Sequence, residues 1–260
     1  MAPFVHIEIP QFQQLLVILI RVAGILAAMP VLTGRSIPAH VKVALVVVIG
    51  LVLVPVVQVP SLPQEPAGLT VGLLTELLVG LVIGIGLRLL FVGIELAGDI
   101  MGTQMGFGMV QLLDPTAGHQ MPLMSHFQVL LGSLVFLSLN GHFMVVEALA
   151  SSFDLVVPFT AVLSDELVEE VLRLFQGMFV VALKLAAPVL VTALLINLGL
   201  AMMGRTVTQL NVFLMSQPLT IAAGLLAIGA ALPFMFGLYE TEFVRVGETV
   251  RGMMAGLGRG

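Results

Sequence analysis

Of the chain's 260 residues, 59% are hydrophobic and only 10% charged, with a mean hydropathy of +1.15; soluble domains carry roughly 25% charged residues, so water is not its main solvent. Cysteine is absent, which excludes disulfides, thiolate chemistry and cysteine metal sites. The net charge of -5 comes without a basic patch interleaved with aromatics, which argues against nucleic acid as a partner.

The opening Met1 to Pro10 carries Glu8 and no Lys or Arg, so it lacks the basic region of a cleavable secretory signal, and the first helix is expected to insert and stay. Spanning the hydrocarbon takes about 20 apolar residues. Stretches of that order run from about Phe12 to Leu32, Val41 to Val57, Leu69 to Met109, Leu123 to Ala150, Val168 to Met203 and Val212 to Tyr239. They predict an all-α integral membrane protein of about six long apolar helices, forming one membrane-embedded domain over residues 1–260 with no separate soluble part. The third and fifth segments are overlong, since roughly 40 residues make a rod of about 60 Å, twice the hydrocarbon thickness. They must bend, break or project from the membrane. Gly84, Gly86 and Arg88 offer a break in the third, and Pro188 a kink in the fifth.

The connections differ in charge. Gly34 to Lys42 is basic, Gln58 to Gly68 is Pro-rich and acidic, and Ser151 to Glu170 carries five carboxylates. The positive-inside rule places the first in the cytoplasm and the other two outside. It then conflicts with itself: Arg205 and the tail with Arg245, Arg251 and Arg259 are both basic, although a single segment separates them. Helices that do not cross simply are tolerated at membrane depth where protein or a water-filled cavity surrounds them.

In Gly98 to Met109, Gly98, Gly102 and Gly106 recur every four residues, and so do Met101, Met105 and Met109. The glycine row suits close approach of another helix. The methionine row is a soft surface, read either as ordinary packing or, with Phe107, as a compliant seal around a pore. A polar, turn-rich stretch follows, with Gly108, Gln111, Asp114, Pro115, Gly118 and Pro122. It reads as an exposed loop or as a plug inserted into a channel.

Charges inside the apolar runs are Arg21, Glu76, Arg88, Glu95, Asp99 and Lys184. Each costs at least about 2.5 kcal/mol at the bilayer centre unless it faces protein or water. Arg88, Glu95 and Asp99 fall near one helix face, which raises two readings: an ion or proton pathway, or pairing with charges on neighbouring subunits. His119 and His126 flank Met121 and Met124, but no Cys or paired carboxylate completes a soft-metal site there, and no metal or cofactor is read from the chain. Hydrolase, zincin, P-loop and dinucleotide signatures are missing as well, so no enzyme is read.

Four stretches together resemble the FliR family of flagellar and virulence type III secretion export gates, and the likeness covers essentially the whole chain. They are Gly34 to Pro38 with Lys42 and Pro55; Gly106 to Pro122 with Asp114-Pro115; Phe136 to His142 followed by Ser152-Phe153; and Ala187-Pro188 through Gly204-Arg205 to Gln209-Leu210-Asn211-Val212-Phe213. Two positions depart from the family pattern, Thr208 where a proline is usual and Thr220 where a lysine is frequent.

The resemblance implies a bacterial inner-membrane subunit of a flagellar basal body or injectisome base. It implies bent or broken helical hairpins in a closed hetero-oligomeric gate with FliP-like and FliQ-like subunits, contacts with FlhB-like and FlhA-like components, and unfolded polypeptides as cargo. It also implies that Gly106 to Pro122 plugs the closed channel, and that the turn with Arg205, Gln209 and Asn211 is a hairpin tip meeting a partner. The alternative reading is a self-contained secondary transporter or ion channel using the Arg88, Glu95 and Asp99 face.

Overall fold

The computed structural model describes residues 9–29, 38–57, 59–60, 65–107, 122–162, 164–206 and 212–258. Every regular element among them is an α-helix: α1 (Ile9–Ala28), α2 (Ala39–Leu53), α3 (Pro66–Met105), α4 (Leu123–Ser138), α5 (Gly141–Leu155), α6 (Asp165–Thr206) and α7 (Val212–Gly258). An apolar solvent leaves backbone N–H and C=O groups no partner outside the chain, and a helix satisfies them within one segment. Prolines open four of the seven. Pro10 and Pro66 sit in the first turn of α1 and α3, where no backbone N–H is needed, and extended Pro38 and Pro122 precede α2 and α4. Asp165 and Glu166 begin α6 and Arg205 ends it, each complementing the helix dipole.

The long third and fifth segments persist as single helices of 40 and 42 residues. The break expected at Gly84, Gly86 and Arg88 is absent, because α3 runs through them without interruption. The run predicted as one helix from Leu123 to Ala150 is instead two, parted at Asn140, whose φ of 56° is left-handed. Asparagine tolerates that backbone and Gly141 follows without steric objection. The last helix continues well past Tyr239, to Gly258.

Three helices, α3, α6 and α7, are long and apolar enough to cross a membrane, and the broken pair α4–α5 passes the same test together. In their most apolar windows only 33% of α6 and 17% of α7 is buried within the chain, so lipid or other subunits must cover the rest.

The chain divides into two compact units. One comprises residues 1–89, 140–174 and 245–260; the other comprises 90–139 and 175–244. In the first, α1 contributes buried Val17, Ile18, Arg21, Val22 and Ile25, and its Arg21 to Ala28 backbone lies close against α3. Small residues set the separation. A Cβ on Gly24 would lie 2.7 Å from the Leu77 carbonyl, one on Gly80 would strike the Arg21 carbonyl, and one on Gly84 would lie 2.7 Å from that of Ile25. The glycines read as a flexible point are in part this packing surface. The end of α7 completes the unit with buried Val250, Met253, Met254 and Leu257, and the Val162 N–H donates to Leu257 O at 3.2 Å.

In the second unit, Phe91, Phe136 and Phe243 form a mutual cluster with centroid separations of 5.3 to 5.9 Å. Helix α6 presents buried Met178, Val181, Ala182, Leu185, Ala186, Val189 and Ala193, a stripe at helical spacing. Gly93 lets the Met178 backbone approach, its would-be Cβ lying 2.8 Å from that carbonyl.

Candidate functional site: a capped helix end and two ion pairs

At the end of α3, Gly106 adopts φ 89°. The Phe107 N–H donates to Gly102 O at 2.9 Å and the Gly106 N–H to Thr103 O at 3.1 Å. This is a Schellman cap, in which a left-handed glycine satisfies the last carbonyls of a helix. Gly106 therefore does not belong to the helical glycine row with Gly98 and Gly102; that expectation is corrected by its lying just beyond the last helical residue, Met105. Gly98 lies hard against the backbone of Met124 and Ser125, and a Cβ on Gly102 would sit 3.4 Å from Met124 Cβ.

Met101 and Met105 are fully buried. The Gln128 amide donates to Met101 Sδ at 3.1 Å, and Met105 fills the space left by Gly224, where a Cβ would lie 2.7 Å from Met105 Cγ. Both side chains thus have packing partners within the chain. Phe107 and Pro122 are half-buried. Gly108, Met109, Gln111, Asp114, Pro115 and Gly118 lie outside the described residues, as do His119, Met121, Gln209 and Asn211.

Polar groups knit the roots of this segment together. Ser125 Oγ–H donates to Asp99 Oδ1, and Tyr239 O–H donates to Gln128 Oε1. Gln128 and Ser125 are fully buried, and both are satisfied, as buried polar groups must be. Sequence reasoning missed Gln128, Ser125 and Tyr239. Their signal was the polar trio Ser125, His126 and Gln128 at the start of an apolar run, and Tyr239 is the single tyrosine of the chain.

The remaining charges find partners of their own. Arg21, fully buried, meets Glu76 at 2.6 Å, donates to the carbonyls of Ser152 and Val156 at 2.7 and 3.1 Å, and lies 4.2 Å over the Phe153 ring. Glu76 also accepts the Phe159 N–H at 3.0 Å. Lys184 pairs with Glu242 at 3.3 Å. Arg21, Glu76 and Lys184 thus have counter-charges inside the chain. Arg88 is exposed, Glu95 and Asp99 are half-buried, and Arg205 is exposed at the end of α6. All three residues of the expected row lie on the single helix α3.

Among the described residues the arrangement offers long apolar helices, two internal ion pairs and a tightly rooted helix end. The family model described as Bacterial export proteins, family 1, matches residues 12–246. A flagellar biosynthetic protein FliR of Pectobacterium carotovorum subsp. carotovorum is 29% identical over 239 residues, covering 92% of this chain and 91% of that one. That of Bacillus subtilis (strain 168) is 26% identical over 250 residues, covering 95% and 96%. That of Aquifex aeolicus (strain VF5) is 38% identical over 163 residues, 62% of each chain. With the match running from α1 into α7, the chain belongs to the bacterial export proteins, family 1.

Proposed function

We propose that the chain is a FliR-like, non-enzymatic subunit of a type III export gate in the bacterial inner membrane. It assembles with FliP-like and FliQ-like subunits, contacts FlhB-like and FlhA-like components, and helps line the channel through which unfolded flagellar or effector proteins leave. The observation that carries the reading is the family match over residues 12–246, with relatives aligned along more than nine-tenths of their length. The poorly covered apolar faces of α6 and α7 fit it, since neighbouring subunits are one natural cover. Within this reading, Gly106 to Pro122 closes the resting channel.

The transporter alternative has no support: the relatives are named flagellar biosynthetic proteins, and Asp99 of the acidic row is already bonded to Ser125. Co-expression tests the proposal. The chain should purify as a stable, homogeneous complex with FliP-like and FliQ-like subunits and poorly without them. A monodisperse chain whose thermal midpoint does not change when those subunits are added would contradict it.

A further inference from the structure

Between α5 and α6 the chain turns sharply. The Thr160 N–H donates to Val157 O at 3.2 Å, closing a β-turn with Pro158 at its second position and Phe159, at φ 71°, at its third. Proline cannot take a positive φ, so this is a type II turn, whose third position normally falls to glycine or asparagine. A phenylalanine there is an outlier, disfavoured about tenfold against ordinary backbone. Strain of this kind persists only where the surroundings impose it. Here a buried ion pair does so. The Phe159 N–H donates to Glu76 Oε1 at 3.0 Å, and the fully buried Glu76 is held by Arg21 at 2.6 Å. The Phe159 ring lies on Gly72, where a Cβ would strike it. Both flanks of the turn are fixed as well: Arg21 donates to the Val156 carbonyl at 3.1 Å, and the Val162 N–H donates to Leu257 O at 3.2 Å. All these residues belong to the first compact unit.

We propose that the central peptide of this turn, between Pro158 and Phe159, is a two-position switch set by the Glu76 carboxylate. Type I and type II turns differ by rotation of that one peptide, which brings φ of the third residue to about −90° and leaves the ends of the turn in place. Rotation would relieve Phe159, and the fixed flanks do not oppose it. What opposes it is charge. In the seated state the carboxylate accepts the Phe159 N–H; in the rotated state it would face the Pro158 carbonyl, an acceptor against an anion. The seat is therefore kept by Arg21, which positions Glu76, and a neighbour that draws α1 away from α3 would remove the anchor and free the peptide. The turn thus reads, at the α5–α6 connection, whether α1 is seated on α3. Val157 at its start is 48% exposed, so the change is presented at the surface of the chain. The inference concerns this turn alone and is independent of the gate assignment.

The test is amide hydrogen exchange of the full chain in detergent, resolved at position 159 and expressed as protection relative to an unstructured peptide. In the wild type the Phe159 amide should exchange by local opening, at a rate independent of low denaturant, while the amides of Arg21 and Glu76 exchange only with wider unfolding. Arg21→Met/Glu76→Met removes the carboxylate without stranding a charge. Protection at 159 should then fall at least about tenfold, the effect of losing a hydrogen bond to a charged group, with α1 and α3 still protected. Phe159→Gly and Phe159→Ala both delete the ring, but only glycine is free of the backbone penalty, so protection at 159 should be about tenfold higher with glycine than with alanine. That comparison stands even where the double variant does not fold. A wild-type Phe159 amide that exchanges together with those of Arg21 and Glu76, equal protection in the glycine and alanine variants, or undiminished protection in a folded double variant would overturn the switch.

Discussion

Replacing Arg21 by methionine removes the cation around which α1, α3 and the end of α5 meet. The guanidinium is fully buried, holds Glu76 at 2.6 Å, and donates to the carbonyls of Ser152 and Val156. After Arg21→Met, the Glu76 carboxylate stays buried with the Phe159 N–H as its remaining bonded donor. Breaking a buried pair from one side costs about 3–5 kcal/mol, chiefly the penalty of the stranded charge. Loss of the Phe153 ring contact at 4.2 Å acts in the same direction. With about 2–4 °C lost per kcal/mol in a chain of this size, the thermal midpoint in detergent should fall by roughly 6–20 °C. The double variant Arg21→Met/Glu76→Met removes the stranded charge and should recover most of the loss, since apolar replacement of a whole buried pair is close to neutral. Midpoints are read by circular dichroism or by the loss of a monodisperse chromatographic peak. A single variant within about 2 °C of wild type, or a double variant as unstable as the single, would refute the reasoning.

Other consequences follow from the same contacts. Gly106→Ala forces an L side chain to φ 89° and drives its Cβ into the Gln217 side chain; it should destabilise by about 1–2 kcal/mol, seen as faster hydrogen exchange in the last turn of α3. Tyr239→Phe leaves Gln128 Oε1 buried without its donor, at about 1–3 kcal/mol, whereas Tyr239→Phe combined with Gln128→Leu should recover part of the loss in the same thermal assay. A photocrosslinker at position 209, four positions along the sequence from exposed Arg205, should reach the FlhB-like partner in the assembled gate; labelling by water-soluble reagents without any crosslink would return that stretch to a solvated loop.

The helical class was legible because apolar runs and the prolines at positions 10, 38, 66 and 122 mark helices and their starts directly. Breaks were less so. Gly84 and Gly86 look like flexible points in sequence, yet Gly84 admits the Ile25 backbone and Gly86 the Val250 side chain, and a helix packed on both sides of a glycine has no reason to bend there. The Asn140-Gly141 pair carried the true signal for a break, a residue that accepts positive φ followed by one that tolerates any backbone. The partner of Arg21 could not be read, because Glu76 lies 55 residues away and helix periodicity relates only near neighbours. The same holds for Lys184 and Glu242, 58 residues apart. In the Met and Gly stripes, spacing gave the faces but not their occupants. Met101 and Met105 are taken up by Gln128 and Gly224 within the chain, so their replacement by alanine reads core packing, at about 2–5 kcal/mol each, rather than channel closure.

Channel closure is therefore tested most directly by deleting Gly106 to Pro122, joining the roots of α3 and α4 through a short flexible linker, and measuring ion leak across membranes that contain the assembled gate. Asp99–Ser125 and Met101–Gln128 already hold those roots together, so assembly with FliP-like and FliQ-like subunits should be largely retained. The account predicts a raised leak of small ions in the deletion relative to wild type, at equal amounts of assembled complex. A deletion that assembles normally and leaves the membrane as tight as wild type would contradict it.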